Sequence, residues 1–309
     1  MNAQRLLIAV LAIVALAAPW FAYPVFLMTA LCFALFACAF NLLLGYVGLM
    51  SFGHAMFFGT AGYFFGHVVK AWDMPPELGL LAGVGGAALV GLVTGALAIR
   101  RQGIYFAMIT LAFAQMIYFF CVQAPFTHGE DGLQGIPRKA LLGGLIPTKD
   151  DRVLYYVVLA IFVFGYCAIY RIIHSPFGQV LKAIRDNEQR AQSLGYEADR
   201  YKLLAFVLSA ALAGLAGSTK AMVLQFATLT DVSAAMSGEV VLMALVGGLG
   251  TIVGPVVGAF IIITMQNYLA ATGEFVLVIQ GAIFVVIVLA FRKGVVGELT
   301  EWWKRRQAR

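Results

Sequence analysis

The sequence predicts an all-α, polytopic integral membrane protein, and three observations carry this prediction. First, 62% of the 309 residues are hydrophobic and only 12% are charged, which is more apolar surface than a soluble fold can bury. Second, apolar runs of roughly 18 to 20 residues, the length of a membrane-crossing helix, recur along the chain. Third, these runs do not alternate between polar and apolar residues, which excludes a transmembrane β-barrel. We therefore expect one transmembrane domain over residues 1–309.

Ten candidate spans follow one another along the chain. The run that begins at Glu239 is short for a full crossing, and the break at Gly45 and Gly48 is compatible with a bend inside one helix, so we predict eight to ten transmembrane helices. The first run is interpreted as a retained helix, because no clear signal-peptide cleavage site follows it. The predicted spans are Leu6–Tyr23, Val25–Leu44, Ser51–Val69, Leu78–Ile99, Tyr105–Val122, Leu154–Ile173, Leu203–Leu224, Glu239–Gly250, Val253–Ala270 and Phe275–Phe291.

The positions of the lysines and arginines predict the orientation. Arg5, the pair Arg100 and Arg101, the segment 175–202 and the tail 292–309 all fall on one side of a ten-span arrangement. Because such residues are retained in the cytoplasm, both termini are predicted to be cytoplasmic, and the loop 124–152 is predicted to lie outside. The net charge of +6 then follows from topology and requires no nucleic-acid partner. The aromatic and basic tail predicts contact with membrane lipid.

The longest predicted cytoplasmic loop, residues 175–202, is the most polar stretch of the chain. Leu181, Ile184 and Ala191 recur there at helical spacing among charged residues, which predicts one amphipathic helix from about Phe177 to Gly195. One interpretation is a solvated helix that rests on the lipid headgroups. The other is a helix that docks into a groove of a soluble partner, and its mixed charges favour a protein over anionic lipid.

Each half of the chain contains an apolar segment interrupted by glycines, namely "LLLGYVGLMSFGHAMFFG" and "VGGLGTIVGPVVG". Such segments mark the central pathway of many transporters, and the alternative is close helix packing through small residues. His54 either lines the path or packs in the core, and Glu239 lies at a predicted outer helix start. Whether the halves form an inverted or a parallel repeat stays open. The path candidates are Asn41, Gly48, Ser51, Gly53, His54, Thr110, Gln115, Gly247, Gly248, Gly250, Gly254 and Pro255.

Several motifs that carry chemistry are missing from the sequence. It contains no Gly-Lys pair, which excludes a phosphate-binding P-loop, and no HExxH, CxxC or Gly-x-Ser-x-Gly motif. An energy source for transport would therefore come from outside this chain.

Five phrases occur in order from about Asn41 to Gly297: "NLLLGYVGLMSFGHAMFFGTAGY", "RRQGIYFAMITLAFAQ", "THGEDGLQGIPR", "SPFGQVLKAIRDNEQRAQSLGY" and "LVGGLGTIVGPVVGAF". They resemble the successive signatures of LivM-type permeases, membrane subunits of bacterial ABC importers for branched-chain amino acids. The resemblance implies a non-enzymatic subunit of the bacterial cytoplasmic (inner) membrane that works with a second homologous permease, two ATP-binding subunits and a periplasmic solute-binding protein. It also implies that ATP and Mg are used by those partners and that this chain binds no cofactor.

By the same resemblance, residues 175–202 form the loop that engages the ATPases. Its core, Gln189-Arg190-Ala191 followed by Gly195, is similar to the Glu-Ala-Ala-x-x-x-Gly pattern of importer permeases but departs from it at Gln189 and Arg190. The implied docking residues are Phe177, Gly178, Leu181, Ile184, Arg185, Glu188, Ala191 and Gly195. The implied outer-gate or binding-protein contacts are Thr127, Glu130, Asp131, Gly132 and Arg138.

Three alternatives remain open from the sequence. The same importer class would carry urea, short amides or aromatic acids instead. A gradient-driven secondary carrier would need no ATPase, although the sequence shows no intramembrane series of acidic residues of the kind such carriers use. An intramembrane enzyme with His54 or Glu239 as catalyst is disfavoured, because no second catalytic group stands at a suitable spacing.

Overall fold

The computed structural model describes residues 15–144 and 146–269, together with the short stretches 278–279, 281–282, 284–285, 289 and 294–298. Across these residues the chain is helical apart from turns and two isolated β-bridges, which confirms the all-α prediction. The predicted span Phe275–Phe291 and the tail 292–309 lie largely outside the described residues, and so do residues 6–14 of the predicted span Leu6–Tyr23.

Helical residues 15–21 precede the first complete helix, and the complete α-helices are numbered here in chain order. Within the described residues, five helical stretches are long and apolar enough to cross a membrane, namely Pro24–Val47, Pro76–Ala98, Ile104–Gln123, Asp151–His174 and Ala198–Leu224. The helices are α1 (Pro24–Asn41, continued by a π-helix over Leu42–Val47), α2 (Ala55–Lys70), α3 (Pro76–Ala98), α4 (Ile104–Gln123), α5 (Asp151–His174), α6 (Pro176–Asp186), α7 (Glu188–Ser193), α8 (Ala198–Leu224), α9 (Ala234–Gly247) and α10 (Gly254–Leu269).

Helices α1 and α8 form the centre of the bundle. Inside the chain, 83% of the apolar window of α1 and 67% of that of α8 are buried, against 28% for each of α3, α4 and α5. Large apolar side chains such as Leu89, Phe119 and Phe164 are exposed on these three outer helices. Exposed apolar side chains are expected where a helix faces lipid, so the outer helices shield the central pair from the membrane.

Small residues bring the helices around α8 close together. A Cβ atom on Gly91 of α3 would lie 2.6 Å from the Cβ of Ala210 of α8, so this crossing admits no larger residue without movement. Further along α8, the hydroxyl of Ser218 donates to the carbonyl of Ala61 in α2 at 3.2 Å. Close backbones and hydroxyl bonds of this kind hold membrane helices together, because lipid provides no hydrophobic driving force between them.

Between α1 and α2 the chain reverses inside the bundle. The π-helix Leu42–Val47 ends at Gly48, whose φ of 82° lies in the left-handed region that glycine adopts without strain. His54, in the turn that follows, is fully buried. Ser209, near the middle of α8, hydrogen-bonds both His54 and the carbonyl of Ala39. We therefore place the start of α2 within the bundle and not at its surface.

A second reversal joins α8 to α9. Helix α8 ends at Gln225, whose φ is 63°, and a short 3-10 turn over Leu229–Val232 leads into α9. The start of α9 reaches the start of α2, where the amide of Ala55 donates to the hydroxyl of Ser237 at 3.0 Å. The residues 48–54 and 225–233 are called the first and the second break below, and the starts of the two helices that follow them meet inside the bundle.

The two broken units run in opposite directions. Helix α1 ends at the side of the bundle that carries residues 175–202, where Arg185 bonds Gly45, and the end of α3 before Arg100 and Arg101 lies against the start of α8 at this side, called the basic end below. Helix α8 ends at the side that carries residues 124–150, where Arg138 bonds Val223, called the loop end. Broken helices in inverted units are typical of transporters, in which they meet near the substrate path. The structure thus decides between the inverted and the parallel arrangement, which the sequence left open.

Three predicted boundaries were wrong. The span predicted from Ser51 begins at Ala55, because the residues before it form the buried turn. The span predicted from Glu239 begins at Ala234, so that Glu239 lies inside α9 and not at a helix start. The single amphipathic helix predicted in the polar segment is two helices, because Asn187 takes an extended conformation (φ −160°, ψ 100°) between α6 and α7.

Candidate functional site

Asn41 joins the two glycine-interrupted segments. Its side chain, at the end of α1, is almost completely buried. The amide nitrogen donates to the carbonyl of Thr251 at 2.9 Å, and the amide oxygen accepts from the backbone N–H of Gly250 at 3.0 Å. The turn between α9 and α10 is thereby held against α1 by a pair of hydrogen bonds, which satisfies backbone groups that no helix continues.

Arg185, near the end of α6, reaches the same place from the basic end. Its guanidinium donates to the carbonyl of Gly45 at 2.5 Å, and it also hydrogen-bonds the Asp186 carboxylate. A Cβ atom on Gly48 would lie 2.9 Å from Cγ of Arg185, so the glycine leaves room for the arginine stem. The ammonium of Lys182 lies 5.9 Å from the centre of the Tyr46 ring. Helix α6 therefore rests directly on the π-helical end of α1.

The apolar stripe of α6 faces the chain itself. Gly178, Leu181 and Ile184 are buried, and the ring of Phe177 stacks on that of Tyr201 with centroids 5.7 Å apart. The interpretation of Leu181 and Ile184 as knobs for a partner groove was therefore wrong. Helical periodicity shows that a helix has an apolar face, but it does not show whether the same chain or another one covers that face.

The next helix, α7, is held in the same way. The side chain of Asn187 caps it by accepting from the amide of Arg190 at 3.0 Å. Glu188 forms a 2.5 Å ion pair with Lys202 of α8, whose side chain is only 3% exposed. Ala191 is buried in a small cluster with Ile184 and others, and the chain turns at Gly195 with φ of 90°. Glu188 and Ala191 therefore hold α7 to the bundle. Helices α6 and α7 together, residues 176–193, are called the α6–α7 hairpin below.

The outer surface of the α6–α7 hairpin is exposed and carries apolar, polar and charged side chains. Leu194 is 72% exposed. We call this surface the hairpin tip, and it consists of Ala183, Asp186, Gln189, Arg190 and Leu194. Two of its members, Gln189 and Arg190, are the positions at which the sequence departs from the importer pattern.

His54 lies in a packed aromatic environment. The hydroxyl of Ser209 donates to the carbonyl of Ala39 at 2.5 Å and lies 3.1 Å from Nε2 of His54. Since the serine proton is engaged by that carbonyl, Nε2 carries the histidine proton and donates to Ser209. The rings of Phe36 and Phe57 flank the imidazole at 5.9 and 5.3 Å. These contacts favour the packing interpretation of His54.

One charged pair inside the bundle was not among the site residues predicted from the sequence. Lys220 of α8 and Asp231 of the second break form an ion pair, and both side chains are less than 9% exposed. The ammonium also lies 5.4 Å from the centre of the Phe226 ring. A lysine inside the apolar run Leu203–Leu224 was a signal that could have found the pair, because an intramembrane charge requires a partner.

The other residues predicted to line the path lie in different parts of the bundle. Gly53 lies against the Thr110 carbonyl of α4, and Ser51 accepts a hydrogen bond from the Gly53 amide at 3.3 Å, so these residues belong with His54. Gln115 is half-buried on α4 and stands apart from them.

The glycines of the second segment form the crossing of α9 and α10. The backbones of Gly247 and Gly254 are in close contact, and Pro255 is buried beside them. Gly248 and Gly250 adopt positive φ values of 118° and 73° in the turn that Asn41 holds. Close packing accounts for the first three residues, and turn geometry for the last two.

Some of the residues predicted to contact the outer gate or the binding protein are bonded to the bundle at the loop end. The hydroxyl of Thr127 donates to the carbonyl of Cys121, and Gly132 is buried. Arg138 bonds the Asp151 carboxylate at 2.6 Å and the carbonyl of Val223 at 2.7 Å, which fastens the loop to α5 and α8. Glu130 and Asp131 are exposed, and they remain available to a partner.

The fold and its two opposed breaks define a class of protein, the multi-pass membrane permease. This chain belongs to the family of permease components of branched-chain amino acid transport systems, which matches residues 24–288. No solved structure matches the chain.

Relatives with curated names include branched-chain amino acid permeases and a sugar permease. The chain is 27% identical over 276 residues to the high-affinity branched-chain amino acid transport system permease protein LivM of Escherichia coli (strain K12), covering 81% of this chain and 64% of that protein. It is 30% identical over 145 residues to the probable branched-chain amino acid transport permease protein LivH of Methanocaldococcus jannaschii, covering 44% and 43% of the two chains. It is also 30% identical over 174 residues to the ribose import permease protein RbsC of Bacillus subtilis (strain 168), covering 52% and 50%. The chain thus spans less than two thirds of the length of the LivM protein that it matches.

Proposed function

We propose that this chain is the membrane permease subunit of an ATP-driven importer of branched-chain amino acids, namely leucine, isoleucine and valine. It forms the translocation path with a second, homologous permease. Two separate ATP-binding subunits use ATP and Mg at the basic end, which is cytoplasmic, and a periplasmic solute-binding protein delivers the amino acid at the loop end. The subunit itself binds no cofactor and catalyses no bond change. The family match over residues 24–288 is the observation that carries this proposal.

The α6–α7 hairpin supports the coupling part of the proposal. Its inner face is packed against the bundle, so the hairpin does not need a partner to bury its apolar stripe. Its tip nevertheless exposes Leu194 as well as Arg190 and Asp186. An exposed leucine among mixed charges is the chemistry expected of a contact with another protein, in which a few apolar anchors carry most of the binding energy. We assign this tip, and not the buried stripe, to the ATP-binding subunits.

The proposal is tested by purifying the tagged chain in mild detergent and by identifying the proteins that accompany it by mass spectrometry. Leu194→Ala is expected to lower the affinity for the ATP-binding subunits on the order of tenfold, about 1.4 kcal/mol, because it removes an apolar anchor. The matched control is Leu89→Ala, which truncates a leucine that is 63% exposed on the outer helix α3. Purification of the wild-type chain without any ATP-binding subunit would contradict the proposed coupling.

Uptake into proteoliposomes tests the cargo and the energy source. With ATP and the solute-binding protein supplied, leucine uptake is expected to stop when ATP is withheld. Uptake that survives without ATP but disappears with the proton gradient would establish a secondary carrier instead. The similarity to a ribose import permease favours, as a second candidate, the same importer class with another cargo. Transport of urea, an amide or an aromatic acid in place of leucine would establish that candidate.

A further inference from the structure

We propose that Arg185 is a positioning residue that links the hairpin tip to both glycine-interrupted segments, so that a movement of α6 displaces the two segments together. This inference rests on the proposed function, because it concerns how the ATP-binding subunits act on the transport path. It goes beyond the docking surface, since the Arg185 guanidinium bonds both Asp186 of the tip and the Gly45 carbonyl of the bundle.

The first link joins α6 to the end of α1. Arg185 and Gly45 are 140 positions apart in the sequence, yet the guanidinium donates to the Gly45 carbonyl at 2.5 Å. The carbonyls in the last turn of a helix have no following amide to accept from, and the helix here ends at Val47. A guanidinium presents several donors in a rigid plane and can therefore hold such a carbonyl while it also bonds Asp186.

The second link joins that end of α1 to the turn between α9 and α10. Asn41, one helical turn before Gly45, bonds Gly250 and Thr251 through both ends of its amide. A Cβ atom on Gly45 would lie 2.8 Å from the backbone nitrogen of Gly250, so the two segments touch without an intervening side chain. Arg185 itself lies close to the same turn, with its Nη1 3.9 Å from the position of a Cβ atom on Gly250.

These links form one continuous set of contacts from α6 through α1 to the α9–α10 turn. A displacement of α6 acts on Gly45 through the bond from Arg185. Gly45 in turn cannot move away from Gly250 without breaking the bonds of Asn41. The contacts are local and directional, which is the kind of physical connection that coupling between distant sites requires. A merely structural arginine would cap the π-helix and have no effect on coupling once the protein is folded.

The test uses the complete transporter in proteoliposomes and measures solute imported per ATP hydrolysed. In preparations that contain the ATP-binding subunits, Arg185→Ala is expected to lower the solute imported per ATP hydrolysed at least tenfold. Asn41→Ala is expected to cause the same loss, and the double variant no further loss, because both residues act through one set of contacts. The matched control is Arg171→Ala, since Arg171 is an exposed arginine in the last turn of α5.

If assembled Arg185→Ala imports as much solute per ATP as the wild type, the inference is overturned. The proposed function is not affected by that result as long as the ATP-binding subunits co-purify with the chain. If Arg185→Ala does not assemble, hydrogen exchange of the wild-type transporter gives the answer. Trapping the nucleotide-bound state is expected to change amide exchange in residues 45–48 and 248–251 together. A change in only one of the two segments, or in neither, would overturn the inference.

Discussion

The first and the second break differ in the groups that form hydrogen bonds with their backbone. Each places non-helical backbone inside an apolar bundle, where its polar groups need partners from the protein. In the first break, the partners are hydroxyls, such as Ser51 for Gly53 and Ser237 for Ala55. In the second break, residues 225–233, backbone from the loop end supplies partners, since Leu133 and Ala227 exchange two hydrogen bonds. A charged pair is added there: Asp231 bonds Lys220 of α8 and also accepts from the amide of Thr228 at 3.5 Å.

This difference indicates that the second break is fixed to α8, whereas the first break is connected to the basic end. The ion pair ties the second break to α8 at the loop end, and its rupture would leave two charges in an apolar interior. The first break lies beside Asn41 and Arg185, whose uncharged or partly exposed bonds lead to the basic end. We infer that the second break acts as an anchor and that the first break and the end of α1 carry the motion of the hairpin.

The largest effect is expected from Lys220→Ala, which removes one member of the buried pair. The charge of Asp231 is then left without its partner, and the expected cost is about 3–5 kcal/mol of unfolding free energy. The measurement is the yield of monodisperse protein and its melting temperature in detergent. The double variant Lys220→Ala/Asp231→Ala is expected to recover part of the loss, because no unpaired charge remains.

A surface ion pair provides the control for this prediction. Lys139 pairs with Asp73, whose side chain is 90% exposed. Lys139→Ala is expected to cost about 1 kcal/mol or less, because a solvated pair gains little. Equal losses in Lys220→Ala and Lys139→Ala would contradict the anchoring role of the second break.

A smaller effect is expected from Gly45→Ala. The added methyl group would lie 2.8 Å from the nitrogen of Gly250 and press on the amide of Asn41, so we expect a cost of about 1–3 kcal/mol together with weaker import. Gly238→Ala is the control, because a Cβ atom there meets no atom within 4 Å. It lies inside α9 and is expected to be neutral or stabilising by up to about 1 kcal/mol. A fully active and stable Gly45→Ala would show that the two segments do not need close contact.

The smallest effect is expected from His54→Phe. A phenyl ring fits among Phe36 and Phe57, and only the hydrogen bond to Ser209 is lost, so we expect a cost of about 1 kcal/mol with uptake retained. Uptake and melting temperature are measured on the same preparation. A loss of uptake beyond tenfold at an unchanged melting temperature would assign His54 to the path, against the packing interpretation.

The sequence was sufficient to predict most of the membrane-embedded helices. Leu154–Ile173 corresponds to the helix Asp151–His174, and Leu203–Leu224 lies within Ala198–Leu224. The break at Gly45 and Gly48 was also predicted, as the structure has a π-helix ending at Gly48 there. These successes share one cause: a run of apolar residues must satisfy its own backbone in lipid, and the run alone contains that information.

The contacts that the candidate site residues make were harder to predict from the sequence. The stripe that includes Leu181 and Ile184 was correctly recognised as apolar, but its partner is this chain. Asn187, which divides the hairpin, gave only a weak signal, since asparagine is tolerated in many helices and turns. The intramolecular roles of Arg185 and Glu188 depend on Gly45 and Lys202, which no local pattern connects to them.

The sequence by itself determined that this protein is helical, that it crosses a membrane several times and that it belongs with a known group of permeases. These properties follow from the transfer of apolar side chains out of water and from local backbone preferences, both of which are set by neighbouring residues. Only the tertiary structure decided that the two breaks are inverted, that Asn41 meets Thr251 and that Lys220 meets Asp231. Hydrogen bonds and ion pairs act over a few ångströms, and only folding brings segments far apart in the sequence within that distance.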